Sequence, residues 1–95
     1  MDLQAFRDSL SANAPPAGLS RAVEALWYEA KGEWGKAHEL IQAEDDATGA
    51  WVHAYLHRKE GDMSNAAYWY RRAGEPVAQA PLVTEWKEMV ERLLH

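Results

Sequence analysis

The stretch VHAYLHRKEGDMSNAAYWYRRAG, residues 52–74, decides the fold that this sequence can form. Gly61 ends a segment of helical periodicity, and Asp62 follows it at a position suited to capping a new helix. The segment after Asp62 again has helical spacing and ends at a second glycine, Gly74. The stretch therefore predicts two helices joined by a tight turn, which is a helical hairpin.

The sequence on either side predicts four more helices and no strand. Paired prolines in NAPPAG (13–18) break the first helix, and Pro81 suits the first turn of the last one. Thr48 is expected to cap the helix that contains AWVHAYLHRKE (50–60), after a loop over residues 45–49. No segment alternates polar and apolar residues as a half-buried strand does. We predict an all-α fold of about six helices, with the other four over residues 2–12, 19–30, 33–44 and 81–94.

Length and composition indicate a single domain. Ninety-five residues lie near the size at which one core becomes self-sufficient, and 47% hydrophobic residues with five tryptophans can supply that core. The predicted segments are an N-terminal helix with its proline-rich linker, a first hairpin, a second hairpin and a C-terminal cap helix. Their bounds are 1–18, 19–47, 48–76 and 77–95.

Composition also excludes several classes of protein. The absence of cysteine excludes disulfides and thiolate metal ligands, and fits a cytoplasmic protein. Asp2 and Asp8 stand where a signal peptide would have a basic start and an apolar run. No run approaches the ~20 apolar residues of a membrane span, so no membrane partner is expected. The net charge of −5 repels a phosphate backbone, so we expect no nucleic-acid partner.

The second hairpin repeats the pattern of the first. Shifting the sequence by 29 residues aligns identical residues at four positions that suit a hairpin. The glycines stand at the turns, and the alanines fall where two helix axes must approach closely. The aligned pairs are Val23 with Val52, Ala25 with Ala54, Gly32 with Gly61, and Ala37 with Ala66.

These positions resemble the tetratricopeptide repeat over residues 19–76. Ala25 and Ala54 match the small residue of the family's first helix, and the family's opening tryptophan is replaced by Arg21 and Ala50. Further matches are Tyr28, the turn Gly32-Glu33-Trp34, the turn Gly61-Asp62-Met63, and the second-helix residues Ala66, Tyr70 and Ala73. The run HRKEGDMSNAAYWYRRAG (57–74) also resembles one in a group of short bacterial proteins of unknown activity.

The resemblance implies stacked hairpins, with outer helices covering the exposed ends, and a concave face that binds an extended peptide. Carried over by position, that face is lined by Ala22, Leu26, Glu29, Trp51, Tyr55 and Arg58. We therefore expect a non-catalytic adaptor for a protein or peptide segment. Trp51 and Tyr55 would give apolar contact and Arg58 a charge-assisted hydrogen bond. Alternatively, Trp51 and Tyr55 support the packing of the N-terminal helix.

Three consecutive aromatic residues, Tyr68, Trp69 and Tyr70, cover most of the circumference of their predicted helix, since neighbours point about 100° apart. Either all three are buried, or one stays exposed and anchors a partner. Arg71 and Arg72 follow directly and suit a carboxylate on that partner. A homodimer through these aromatic residues is a further possibility.

The histidines admit a second interpretation. His53, His57 and Glu60 share one helical face, at a spacing that zinc accepts, and His38 could supply a third nitrogen. Ala54 stands where an HExxH protease has its catalytic glutamate, which excludes that chemistry. We favour ordinary hairpin packing, with no catalytic residue, metal or cofactor. The alternative is a small-molecule, metal-binding or enzymatic site built around His38, His53, His57 and Glu60.

Overall fold

In the computed structural model, which describes residues 1–94, those residues form six helices and no strand. The all-α fold with six helices is therefore confirmed. The longest helix has 14 residues, and nothing in the described part of the chain forms a helix able to cross a bilayer. The helices are α1 (Leu3–Ser9), α2 (Arg21–Ala30), α3 (Trp34–Gln42), α4 (Ala47–Glu60), α5 (Met63–Ala73) and α6 (Leu82–Leu93).

The turn between α4 and α5 has the geometry that its sequence predicts. Gly61 has a φ of +90°, a left-handed conformation that favours glycine, and the Asp62 N–H donates to the carbonyl of His57 at 3.0 Å. The Asp62 carboxylate then accepts from the Asn65 N–H at 3.2 Å and caps α5. Gly74, with a φ of +71°, ends α5 at the predicted position.

Helix α4 begins earlier than predicted. Asp46, and not Thr48, is its N-cap, and the Asp46 carboxylate accepts from the Gly49 N–H at 2.8 Å. An aspartate caps at least as well as a threonine, and its charge also favours the positive end of the helix dipole. Gly49 in the first turn permits the close approach, since a Cβ there would lie 2.7 Å from the Cβ of Glu44. The predicted loop over residues 45–49 is thus mostly helix.

The two hairpins pack side by side around buried alanines. Helix α2 packs on α3, α4 packs on α5, and α3 and α2 both contact α4. The four repeated alanines, one from each of these helices, are completely buried in the core. Small side chains let helices approach closely, so the alanines lie where these four helices pack together. These alanines are Ala25, Ala37, Ala54 and Ala66.

Helix α6 lies across the face that α2 and α4 form, and it also contacts α1. The Trp86 Nε1–H donates to the carbonyl of Leu26 in α2 at 3.2 Å. Met89 and Val90 are completely buried on the same stripe of α6. Phe6 of α1 packs on the Trp86 ring, with the ring centroids 5.8 Å apart. The C-terminal helix therefore covers the face of the hairpins and not one end of them.

This position of α6 corrects the prediction of an open peptide groove. Trp51 and Tyr55 are only 7% and 2% exposed. Arg58 donates to the Glu85 carboxylate of α6 at 2.8 Å, and the Arg92 guanidinium lies 4.3 Å from the centre of the Trp51 ring. The prediction that Trp51 and Arg58 line an accessible groove is wrong, because α6 covers both. Tyr55 is almost completely buried, but with Glu29 it lines a cleft beside α6. Trp51 and Arg58 thus contact the C-terminal helix.

A buried polar network joins α6 to the second hairpin. Glu85 is 3% exposed and accepts from Arg58 of α4 and from the Tyr70 hydroxyl of α5, the latter at 2.6 Å. Arg58 also donates to the carbonyl of Ala80. Burial and the bond to Glu85 raise the pKa of Tyr70, which therefore remains protonated as a donor. Every charge in the network has a partner, which makes its burial tolerable.

Removing one partner of this network should be costly. We expect Glu85→Ala to lower the free energy of unfolding by about 3–5 kcal/mol, because it leaves Arg58 charged and buried without its carboxylate. Urea unfolding followed by circular dichroism measures the loss. The control is Glu75→Ala, which removes an exposed pair with Arg92 at 3.2 Å and should cost about 1 kcal/mol or less. Equal losses for the two variants would contradict a stabilising role for the network.

Candidate metal centre

Three histidines converge between the two hairpins. Helix α3 supplies His38, and α4 supplies His53 and His57 from consecutive turns. One ring nitrogen from each lies within 4.8 Å of the other two. His38 Nε2 lies 3.0 Å from His53 Nε2. The packing of α3 on α4 thus brings together nitrogen donors that are 15 and 19 residues apart along the chain.

Two tryptophans hold the imidazole rings in fixed planes. Trp69 of α5 stacks on His53 with centroids 3.9 Å apart, and His53 stacks in turn on His57 at 5.0 Å. Trp34 stacks on His38 at 4.7 Å. The His38 ring is edge-on to the other two imidazoles, at 80° to His53 and 76° to His57. This stacking preorganises the three rings, so little rotamer freedom remains to be lost on binding.

His38 and His53 are uncharged at neutral pH. Burial is the main cause that lowers the pKa of His53 to about 4. Positive charge on His38, His57 or Arg72 also opposes protonation of His53. Burial, followed by His57, also lowers the pKa of His38. A neutral imidazole has one N–H and one lone pair, so the short Nε2 contact requires complementary tautomers of the two rings. Protons therefore compete weakly for these nitrogens.

Glu60 orients the third ring. His57 Nδ1–H donates to the Glu60 carboxylate at 3.0 Å, which leaves the His57 Nε2 lone pair available. Carboxylates commonly hold metal-binding histidines in this way. His57, Glu60 and Asp62 form a second close group, but both Asp62 oxygens already accept hydrogen bonds from Asn65. The three-histidine group is therefore the better ligand set.

The donor set suits a transition metal. Zinc binds imidazole nitrogen at about 2.0–2.1 Å, which places tetrahedral ligand atoms about 3.3 Å apart. The His38–His53 separation of 3.0 Å is within a few tenths of an ångström of that value. Neutral imidazoles favour Zn²⁺, Cu²⁺ or Ni²⁺ over Mg²⁺ and Ca²⁺, which prefer oxygen. Three protein ligands leave a fourth position for water or an external group.

The aromatic run of α5 divides among three environments. Tyr70 is completely buried, Trp69 is partly buried against His53, and Tyr68 is 45% exposed. Arg71 and Arg72 are both exposed, as partner binding would require. One aromatic residue of the run, together with two arginines, is thus accessible on this face.

Trp34 is a site residue that the sequence analysis did not identify. It stacks on His38, and its Nε1–H donates to the carbonyl of Leu56 in α4 at 3.0 Å. The indole therefore fixes His38 relative to the helix that carries the other two histidines. The spacing of Trp34 and His38, four residues apart in one helix, is the signal that could have revealed the contact.

The buried histidines should make stability depend on pH. In the unfolded chain, His53 binds a proton below about pH 6.5, whereas in the folded chain it does so only near pH 4. The free energy of unfolding therefore decreases as the pH falls through this window. We expect His53→Gln to reduce this loss by on the order of 2 kcal/mol, measured by urea unfolding between about pH 4 and 7. Lys36→Gln, an exposed change on α3, is the control. An unchanged pH profile for His53→Gln would contradict the expectation.

The chain matches no known family model, no curated protein and no solved structure. The resemblance to the tetratricopeptide repeat therefore stays a prediction.

Proposed function

We propose that this chain is a metal-binding domain that holds one divalent transition-metal ion, with zinc preferred, on His38, His53 and His57. The observation that carries the proposal is the convergence of one nitrogen from each ring within 4.8 Å, on helices that pack directly together. Glu60 is the positioning residue for His57. The absence of cysteine is compatible with a cytoplasmic setting, which we retain as part of the proposal.

The cost of burying two imidazoles against a third, half-buried one supports this function over simple packing. His53 and His57 are 7% and 8% exposed, at positions where an apolar side chain would fill the same volume without a polar group. Buried polar groups are costly unless they find partners, and the His38–His53 contact is satisfied only when one ring has its proton on Nε2 and the other has it on Nδ1. A metal ion satisfies all three lone pairs together and removes this restriction.

The proposed role of the ion is to cross-link the two hairpins, and the ion takes no part in catalysis. His38 belongs to the first hairpin, while His53 and His57 belong to the second, so one ion ties the hairpins together. Three histidines with an open position also occur in catalytic zinc sites. Here, however, the nearby carboxylate, Glu60, is already bonded to His57 and is not free to act as a base.

Metal titration tests this proposal directly. Calorimetry with ZnCl₂ at about pH 7.5 should give about one ion per chain and a micromolar or lower dissociation constant. We expect His38→Gln and His53→Gln to weaken binding at least about tenfold, because each removes a ligand. Glu60→Gln should weaken it about 10- to 100-fold through the orientation of His57. Zinc should also raise the melting temperature of the wild type by mass action.

The control for the titration is Asp62→Asn. Asparagine also caps helices, so α5 keeps its start, and Asp62 does not belong to the three-histidine group. Zinc affinity should therefore be unchanged. The proposal is wrong if no saturable binding occurs, or if Asp62→Asn abolishes binding while His38→Gln does not.

A second candidate function, an adaptor for a protein or peptide, is favoured by the outer face of α5. Met63 and Tyr68 are 48% and 45% exposed, and the Arg72 guanidinium lies 5.0 Å from the Trp69 ring centroid and 6.0 Å from that of Tyr68. Aromatic residues and arginine dominate binding hot spots. Arg72 pairs with Asp45 at 3.4 Å, but the Asp45 side chain is 95% exposed. A carboxylate of a partner could therefore replace Asp45 at little cost in free energy.

Changing this face should alter association if the second candidate is correct. We expect the double variant Tyr68→Ala with Arg72→Glu to reduce self-association at least about tenfold, as measured by sedimentation velocity. If the partner is a different protein, the immobilised double variant should capture at least about tenfold less of it. The matched control is Lys87→Glu, an exposed charge reversal on α6. A monomer at all concentrations eliminates the homodimer, and identical captures by variant and wild type eliminate the α5 face as a binding surface.

A further inference from the structure

A cleft of about 470 Å³ lies on the side of α4 that faces away from the histidines, between α1, α2, α4 and α6. Its volume falls within the range of small-molecule sites in proteins. Two groups of lining residues decide its chemistry. The first group is apolar and consists of Leu10, Val83 and Trp86, and the second is charged and consists of Arg7, Glu29 and Lys59. None of them belongs to the proposed metal centre.

The first group makes an apolar wall. Val83 is 67% exposed, although it stands on the core-covering helix α6 at the edge of the cleft. The one polar group of Trp86, its Nε1–H, already donates to the carbonyl of Leu26 at 3.2 Å, so the ring offers only apolar surface. Leu10 completes the wall from the end of α1. Covering these side chains favours a ligand with an apolar body.

The second group places positive charge at the same cleft. Lys59 forms an ion pair with Glu29, whose carboxylate is buried, so the charge of Glu29 is neutralised within the protein. That bond uses one of the three N–H donors of the Lys59 ammonium. The Arg7 side chain forms no hydrogen bond or ion pair with any residue of the range 1–94. The cleft therefore has an excess of one positive charge and unused donors, which an anionic group complements.

We propose that this cleft binds a small monocarboxylate with an aliphatic body. The carboxylate accepts from Arg7 and from the remaining donors of Lys59, and the body covers Leu10, Val83 and Trp86. The proposal is independent of metal binding, because the two sites share no residue and lie on different sides of α4.

Octanoate is the probe for this site. It is titrated into the ¹⁵N-labelled full chain in the presence of a metal chelator, and the indole N–H resonance of Trp86 is followed by NMR. We expect saturable shifts with a dissociation constant of about 1 mM or lower, and at least about tenfold weaker binding of octylammonium and of octanol. Arg7→Gln should weaken octanoate binding about tenfold, and Val83→Asp should abolish it, since aspartate adds charge to the apolar wall.

Two controls separate cleft binding from general effects. Val77→Asp introduces the same charge at a valine that is 39% exposed and does not line the cleft, and Arg71→Gln removes an exposed arginine of α5. Both should bind octanoate as the wild type does. The proposal is overturned by the absence of saturable shifts, by octanol or octylammonium binding as tightly as octanoate, or by unchanged affinity in Val83→Asp. None of these results affects zinc binding at the histidines, so the two proposals fail separately.

Discussion

The enclosure of α4 is the constraint on which the rest of the structure depends. Every residue from Gly49 to His57 is buried, because α2, α3, α5 and α6 all pack on this helix. Helical spacing then directs each side chain toward a particular neighbour. His53 and His57 face α3 and α5, while Tyr55 meets the side that α6 covers. One central helix thus sets both the histidine cluster and the position of the last helix.

Burial on all sides also explains the electrostatics of the molecule. Charged groups that enter the core do so in pairs, as with Arg58 and Glu85, or Lys59 and Glu29. His38 and His53 instead enter as neutral rings, because desolvation by burial is the largest cause that lowers the pKa of each. Neutral nitrogen donors in a packed core are the chemical basis for proposing a metal ion there.

Local signals in the sequence were sufficient for the six helices and for the turn from α4 to α5. Gly61 and Asp62 act through their own backbone and side chain, so their effect can be read from neighbouring residues. The open groove was predicted wrongly because the contact between Arg58 and Glu85 joins residues 27 positions apart, and no local pattern reveals it. The shared face of His53 and His57 followed from their spacing, whereas the approach of His38 needed the packing of α3 on α4.

The enclosure of α4 has a consequence for hydrogen exchange. Amide hydrogens in a helix with no exposed side exchange with solvent only when the whole domain opens, so the central amides of α4 report the global free energy of unfolding. A ligand that binds only the folded chain slows that opening by mass action. Zinc at the histidines and a carboxylate in the cleft would therefore protect the same α4 amides, although the ligands contact different sides of the helix.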